Sequence, residues 1–112
     1  KVEAINKNDI DKLVEVDTKF HETMYQASRN DRLCSIISNL REQIQRLRLT
    51  SLSVPGRKKE SLDEHRNIVE AIQARDVKLA RHLAQEHIEN AENVLIDSLK
   101  KDGLPGREQG AI

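Results

Sequence analysis

Three histidines and one aspartate lie at positions where this sequence would otherwise bury hydrocarbon. Asp17 and His21 lie one helical turn apart in VEVDTKFHETM, and His65 and His87 lie in two later amphipathic segments. An ionisable side chain within an apolar stripe costs several kcal/mol unless it has a partner. Because these residues fall on three separate stripes, we expect a metal ion to be their shared partner.

The residue types restrict which ion could bind. Residues at i and i+4 share a helix face, so Asp17 and His21 can reach the same ion. Imidazole and carboxylate ligands suit divalent zinc first, with nickel, iron, cobalt and manganese as alternatives, and they do not suit calcium. Each histidine taken alone could instead be a hydrogen-bonded core residue, and Asp17 could pair with a lysine or arginine. His82 lies on the polar side of its segment and is expected to be a surface residue.

Two arginines form a second candidate feature. Arg41 follows Ile37 by four residues, and Arg48 follows Ile44 by the same step, so both flank one apolar stripe. An arginine at the edge of a cavity can bind a carboxylate through two parallel hydrogen bonds. The alternative for each is a surface arginine whose aliphatic stem covers the core.

The sequence predicts no catalytic residue. His21 is not part of an HExxH motif, and no glycine-rich phosphate loop is present. Glu22 and Glu64 each adjoin a candidate ligand, but successive helical residues point about 100° apart, away from the ion. A mononuclear metal-dependent hydrolase or oxygenase that uses the same ligands is therefore the weaker alternative.

The elements that position these residues are all helical. Apolar residues recur at steps of three and four, and alternation typical of strands never lasts. The pattern predicts a helix end in residues 1–8, followed by helices at about 10–28, 32–52, 61–75 and 77–100. The expected N-terminal caps are Asp9 or Asp11, Asn30 or Asp31, Ser61 in a capping box with Glu64, and Asp76. Short loops between these segments predict an all-α, antiparallel bundle of about five helices.

Composition limits the domain organisation and the partners. The 112 residues suit one domain, which we place at 1–101 with a loose tail at 102–112. Net charge is zero, with 19 acidic and 19 basic residues, which argues against direct binding of nucleic acid. A lone Cys34 gives no disulfide and fits a reducing cytosol. No apolar run approaches the roughly 20 residues that span a bilayer, so we expect a cytoplasmic protein without membrane contact.

The order of these residues resembles a known family. DTKFHETMYQASRND, then PGR, then EHRNIVEAIQARDVKLARHLAQEHIE resembles the FadR-type C-terminal domain (FCD) of GntR-superfamily transcription regulators. The resemblance covers roughly residues 10–95. The matching positions are Asp17, Phe20, His21, Asn30, Glu64, His65, Ile68, Ala71, Ile72, Asp76, Ala80 and His87.

The resemblance implies a ligand-sensing role. In metal-binding members of the family, the matching Asp and three His hold a divalent ion beside a cavity that takes a small organic acid. Carried over by position, the implied ligands are Asp17, His21, His65 and His87, with Arg41 or Arg48 countering the charge of the acid. The resemblance also implies a homodimer that contacts operator DNA only through an N-terminal winged helix-turn-helix domain.

Two further predictions concern a domain that the sequence lacks and an alternative function. The winged helix-turn-helix pattern is missing from the 112 residues, and the family domain normally starts with helices that precede Lys1, so we interpret the sequence as a fragment of a longer protein. The alternative to a metal-binding sensor is a metal-free helical dimerisation module whose histidines make ordinary core hydrogen bonds.

Overall fold

The computed structural model describes residues 7–101, and every regular element in that range is an α-helix. The prediction of an all-α chain with about five helices is confirmed. The helices are α1 (Lys7–Ala27), α2 (Asp31–Asn39), α3 (Arg41–Leu52), α4 (Arg57–Gln73) and α5 (Val77–Lys101). No helix in this part of the chain is long and apolar enough to cross a bilayer. The predicted tail at 102–112, and all of the predicted helix end at 1–8 except its last two residues, lie outside the described residues.

The described part of the chain divides into two compact units, with the boundary between residues 53 and 54. In the first unit α1 packs against both α2 and α3. Its core contains Ile10 and Val14 from α1 and Leu52 from α3, with Leu13 packed against them. Cross-helix contacts pair early residues of α1 with late residues of α3, so these two helices run antiparallel. Ile10, Leu13 and Val14 belong to the apolar stripe that the helical period predicts for this segment, so this part of the stripe packs.

The segment predicted as one helix over 32–52 is in fact two helices. The break falls at Leu40, whose backbone (φ −100°, ψ 7°) is not helical and whose N–H bonds to the carbonyl of Ile37. Neither proline nor glycine lies near the break, so the sequence carries none of the usual signals for it. The predicted cap at Asn30 is confirmed, because its side chain accepts a hydrogen bond from the Leu33 N–H at 2.9 Å.

The apolar stripe of α2 and α3 is only partly covered. Ile37 and Ile44 are half-buried, and α2 has no fully buried residue. The other large members of the predicted stripe are exposed to between 38% and 52% of their surface: Leu33, Ile36, Leu40 and Leu47.

In the second unit, α4 begins four residues earlier than the sequence suggested. Gly56 precedes it in a left-handed conformation (φ 87°) that costs glycine little, and Arg57 is the first helical residue. The predicted capping box at Ser61 is therefore wrong, because Ser61 is a buried residue inside the helix. The predicted cap of α5 is confirmed, since Asp76 Oδ1 accepts a hydrogen bond from the Leu79 N–H at 3.1 Å.

The helices α4 and α5 are joined by three residues and pack along their length as an antiparallel pair. The buried residues of α4 are Arg57, Ser61, Ile68 and Ala71. The helical period predicts a face with Leu62, His65, Ile68, Val69 and Ile72, of which only Ile68 is fully buried, while Leu62, Val69 and Ile72 are exposed. The packing face is therefore rotated around the helix from the expected one, and the two faces share Ile68. This rotation brings Glu64 as well as His65 toward α5.

Candidate metal centre

The first unit contains the predicted pair Asp17 and His21 on one face of α1. Their side chains are withdrawn from solvent, at 10% and 11% exposure, and His21 Nε2 lies 3.6 Å from Asp17 Oδ2. An imidazole nitrogen and a carboxylate oxygen are both ligands of divalent metals such as zinc. The i, i+4 spacing therefore brings two ligand atoms within reach of one ion.

Arg48 ties this pair to α3. Its Nε lies 3.5 Å from Asp17 Oδ2, and its Nη1 donates a hydrogen bond to Thr18 Oγ1 at 3.1 Å. The Thr18 hydroxyl is buried and donates to Gln45 Oε1 at 2.6 Å. Arg48 itself is only 14% exposed. The carboxylate of Asp17 is thus held between an imidazole and a buried guanidinium.

The two predicted arginines line one cavity of about 330 Å³ in the first unit. Arg48 reaches its wall with Nη2, which lies 3.4 Å from the Tyr25 hydroxyl oxygen. Arg41 is 54% exposed and forms a 2.9 Å ion pair with Glu22. Both arginines therefore already have partners, and Arg48 is the one that connects the cavity with Asp17. Tyr25 is a cavity residue that the sequence reasoning missed.

The second unit brings together His65 of α4 and His87 of α5. Their Nε2 atoms lie 3.3 Å apart, with ring planes inclined at 68°. His87 is buried, and His65 is partly buried. Both nitrogens are ligands that a divalent metal such as zinc accepts, and this separation would let one ion bind both. Ser61 Oγ also lies 3.4 Å from His65 Nε2.

Glu64 occupies the other side of the His87 ring. Its Oε1 lies 2.6 Å from His87 Nδ1. Arg57 donates to both carboxylate oxygens, at 2.9 and 3.0 Å, and Asn90 Nδ2 donates to Oε2 at 2.8 Å. The sequence predicted that Glu64 points away from a metal bound by His65, and it gave no indication of Arg57 or Asn90. The available signal was the shared helix face of Arg57, Ser61, Glu64 and Ile68.

Electrostatics keep Glu64 ionised. Burial alone would raise the pKa of this carboxyl, but hydrogen bonds from Arg57, His87 and Asn90 and the charge of Arg57 outweigh it, so the pKa lies below its ordinary value. An ionised carboxylate has no proton to donate, so His87 Nδ1 must be the donor. In the neutral ring, Nε2 then carries a lone pair, the form that a metal ligand needs.

The imidazole and carboxylate donors are of the kind that bind a divalent metal, and each unit brings two of the four predicted ligands together. Asp17 and His21 are adjacent in the first, and His65 and His87 are adjacent in the second. Three of the four predicted ligands are histidines that could hold a metal ion. His82 is exposed, as predicted for a surface residue.

Comparison with known proteins gives one match. The family model described as the FCD domain matches residues 2–90. No curated protein and no solved structure matches the chain significantly. FCD domains are regulatory domains that bind effectors, and the match spans most of the chain. The chain therefore belongs to the FCD family, the FadR-type C-terminal domain of GntR-family regulators.

Proposed function

We propose that this chain is a metal-dependent sensor of a small organic acid. The four predicted ligands Asp17, His21, His65 and His87 would bind a divalent ion, with zinc the first candidate. The observation that carries the proposal is the 3.3 Å separation of the His65 and His87 Nε2 atoms, combined with the Glu64 contact, which places the proton of the neutral His87 ring on Nδ1 and the lone pair on Nε2. The bound ion supplies positive charge and open coordination positions for a carboxylate.

The cavity in the first unit is the proposed place for the acid. Arg48 and Arg41 contribute positive charge, Tyr25 contributes a hydroxyl, and Ile37 and Ile44 contribute apolar wall. Its volume of about 330 Å³ is at the small end of the range for ligand sites, which favours a short acid. The acid would act as an effector of a homodimer whose DNA-binding domains lie outside these 112 residues. For it to shift that dimer between states, its affinity for the two states must differ.

The environment of Glu64 supports a sensor over an enzyme. A carboxylate with a lowered pKa that accepts hydrogen bonds from Arg57, Asn90 and His87 is a weak general base at neutral pH. Glu22 is paired with Arg41 near the surface. Neither acid adjacent to a proposed ligand is suited to activate a metal-bound water.

The test combines metal content with carboxylate binding. Elemental analysis of the protein after loading with zinc and gel filtration should give about one ion per chain, and a chelator-treated sample serves as the control. Calorimetric titration with a panel of small mono-, di- and tricarboxylates should show binding to the zinc-loaded protein and much weaker binding after chelation. Absence of metal under every loading condition would rule out the proposal.

One observation favours the metal-free dimerisation module as the second candidate. Ser61, His65, His87 and Glu64 form a continuous chain of contacts of 2.6 to 3.4 Å, in which a proton on His65 Nε2 could take the place of a metal. Thermal melts separate the two candidates. A metal that binds only the folded state stabilises it by about 2.7 kcal/mol at roughly 100 times its Kd. Equal melting temperatures with zinc and with chelator would favour the module.

A further inference from the structure

The carboxylate of Glu64 is saturated with hydrogen-bond donors. A carboxylate offers about four acceptor positions. Arg57 Nη1 and Asn90 Nδ2 take Oε2, while Arg57 Nη2 and His87 Nδ1 take Oε1. With both oxygens used twice, the carboxylate cannot rotate without breaking bonds, and it has no position left for direct coordination of an ion.

Arg57, which binds both oxygens of Glu64, is a buried charged residue, and its burial costs stability. It is 2% exposed, and its Nε is a buried donor without a hydrogen-bond partner among the described residues. Burying a guanidinium is expensive, and a buried ion pair is on its own weak evidence for stability. The bidentate geometry does, however, fix both oxygens of Glu64 relative to α4, and Asn90 fixes one of them relative to α5.

We propose that Glu64, held by Arg57 and Asn90, is the positioning residue of the His87 ligand. Glu64 fixes the imidazole with its proton on Nδ1 and turns Nε2 toward His65 and the ion. Carboxylates that bind the far nitrogen of a ligating histidine fix its tautomer and ring orientation, and their loss lowers metal affinity by about 10-fold to 100-fold. This inference rests on the proposed metal site, but its first test does not need the metal.

The first test is the tautomer of His87 in the chelator-treated 112-residue chain. Nitrogen-15 NMR of the histidine rings distinguishes a proton on Nδ1 from one on Nε2, and His87→Gln identifies the signal. The wild-type protein at neutral pH should show His87 protonated at Nδ1, and Glu64→Gln should lower that fraction. A wild-type His87 protonated at Nε2 would overturn the inference, whether or not the protein binds metal.

The second test compares zinc affinity in matched variants by competition with a chromophoric chelator. Glu64→Gln keeps the size of the side chain but replaces one acceptor oxygen with an NH2 group that faces the existing donors. Zinc affinity should therefore fall by about 10-fold to 100-fold. Glu60→Gln is the control, because Glu60 also faces Arg57, at 3.8 Å, but its side chain is 66% exposed. Equal affinities in the two variants would contradict the positioning role.

A third variant covers the case in which Glu64→Gln does not fold. Asn90→Ala removes one of the four hydrogen bonds and leaves the Arg57 ion pair intact. Its circular dichroism should match wild type, while its zinc affinity should be lower than that of Glu60→Gln. An unchanged affinity in a folded Asn90→Ala protein would overturn the inference. If wild type binds no zinc, the proposed function fails, and the tautomer measurement alone decides the role of Glu64.

Discussion

The Nε2 atoms of His65 and His87 lie 3.3 Å apart, a separation that suits two imidazoles on one tetrahedral ion. The pair forms because α4 and α5 are joined by a short loop and pack antiparallel, so that residues near the middle of one helix face residues near the middle of the other. Glu64 then fixes the orientation of the His87 ring from the opposite side.

Removal of either imidazole should abolish tight metal binding. In His65→Ala and His87→Ala, zinc affinity is expected to fall by more than about 100-fold, exceeding the effect of losing a residue that only supports a ligand. His82→Ala is the matched control, because His82 lies on the exposed side of α5. Chelator competition measures all three, and an unchanged affinity in His87→Ala would contradict the ligand assignment.

Arg48 should contribute more to carboxylate binding than Arg41. A buried charge-assisted hydrogen bond contributes about 1.5–3 kcal/mol, so Arg48→Ala should weaken binding by about 10-fold to 100-fold. Arg41 is exposed and paired with Glu22, so Arg41→Ala should have a smaller effect. Arg46→Ala removes an arginine that does not line the cavity and serves as the control. Calorimetric titration of the zinc-loaded variants with the carboxylate gives the three affinities. Equal affinities would contradict the assignment of the cavity as the acid site.

Acid should remove the stabilisation that Glu64 provides. Because its folded-state pKa is lowered, the ionised carboxylate stabilises the fold fully above its ordinary pKa, and the contribution is lost as the pH falls through the lowered value. The free energy of unfolding of wild type should therefore exceed that of Glu64→Gln at neutral pH, with the difference shrinking in acid. Denaturant titrations with chelator present, and Glu60→Gln as the reference, measure this. A difference in the free energy of unfolding that does not change with pH would show that the Arg57–Glu64 ion pair is not its source.

The packing face of α4 can be tested by a pair of isoleucines. Both lie on the face that the periodicity predicts, but Ile68 is 2% exposed and Ile72 is 50% exposed. Truncation of a fully buried isoleucine to alanine costs about 2–5 kcal/mol, whereas an exposed site changes stability by about 0.5 kcal/mol or less. Chemical denaturation of Ile68→Ala and Ile72→Ala gives the two values. Similar losses would mean that Ile72 is covered in solution.

The sequence alone predicted some features of the fold and of the site, but not others. The caps at Asn30 and Asp76 were predictable because a side-chain cap is a local interaction with a strong sequence signal. The break at Leu40 was not, because neither proline nor glycine marks it. The ligand candidates stood out because polar groups on an apolar stripe need partners.

The residues that hold Glu64 against His87 could not be predicted from the apolar periodicity. The periodicity of α4 predicted a face that contains Ile68 but also the exposed residues Leu62, Val69 and Ile72, whereas the face that packs contains Arg57, Ser61 and Ala71 beside Ile68. Helix periodicity gives the spacing of a stripe, but two adjacent faces can both fit it when polar residues are buried. The partners of Glu64 come from a residue seven positions earlier and from a second helix, so only tertiary packing identifies them.

X-ray absorption spectroscopy of the zinc-loaded protein tests the central claim most directly. We expect about one zinc per chain with a first shell of three imidazole nitrogens and at least one carboxylate oxygen, at about 2.0–2.2 Å. The imidazole signal should decrease in His87→Ala and remain unchanged in His82→Ala. A shell of water oxygens without imidazole scattering, or the same spectrum in both variants, would contradict the account.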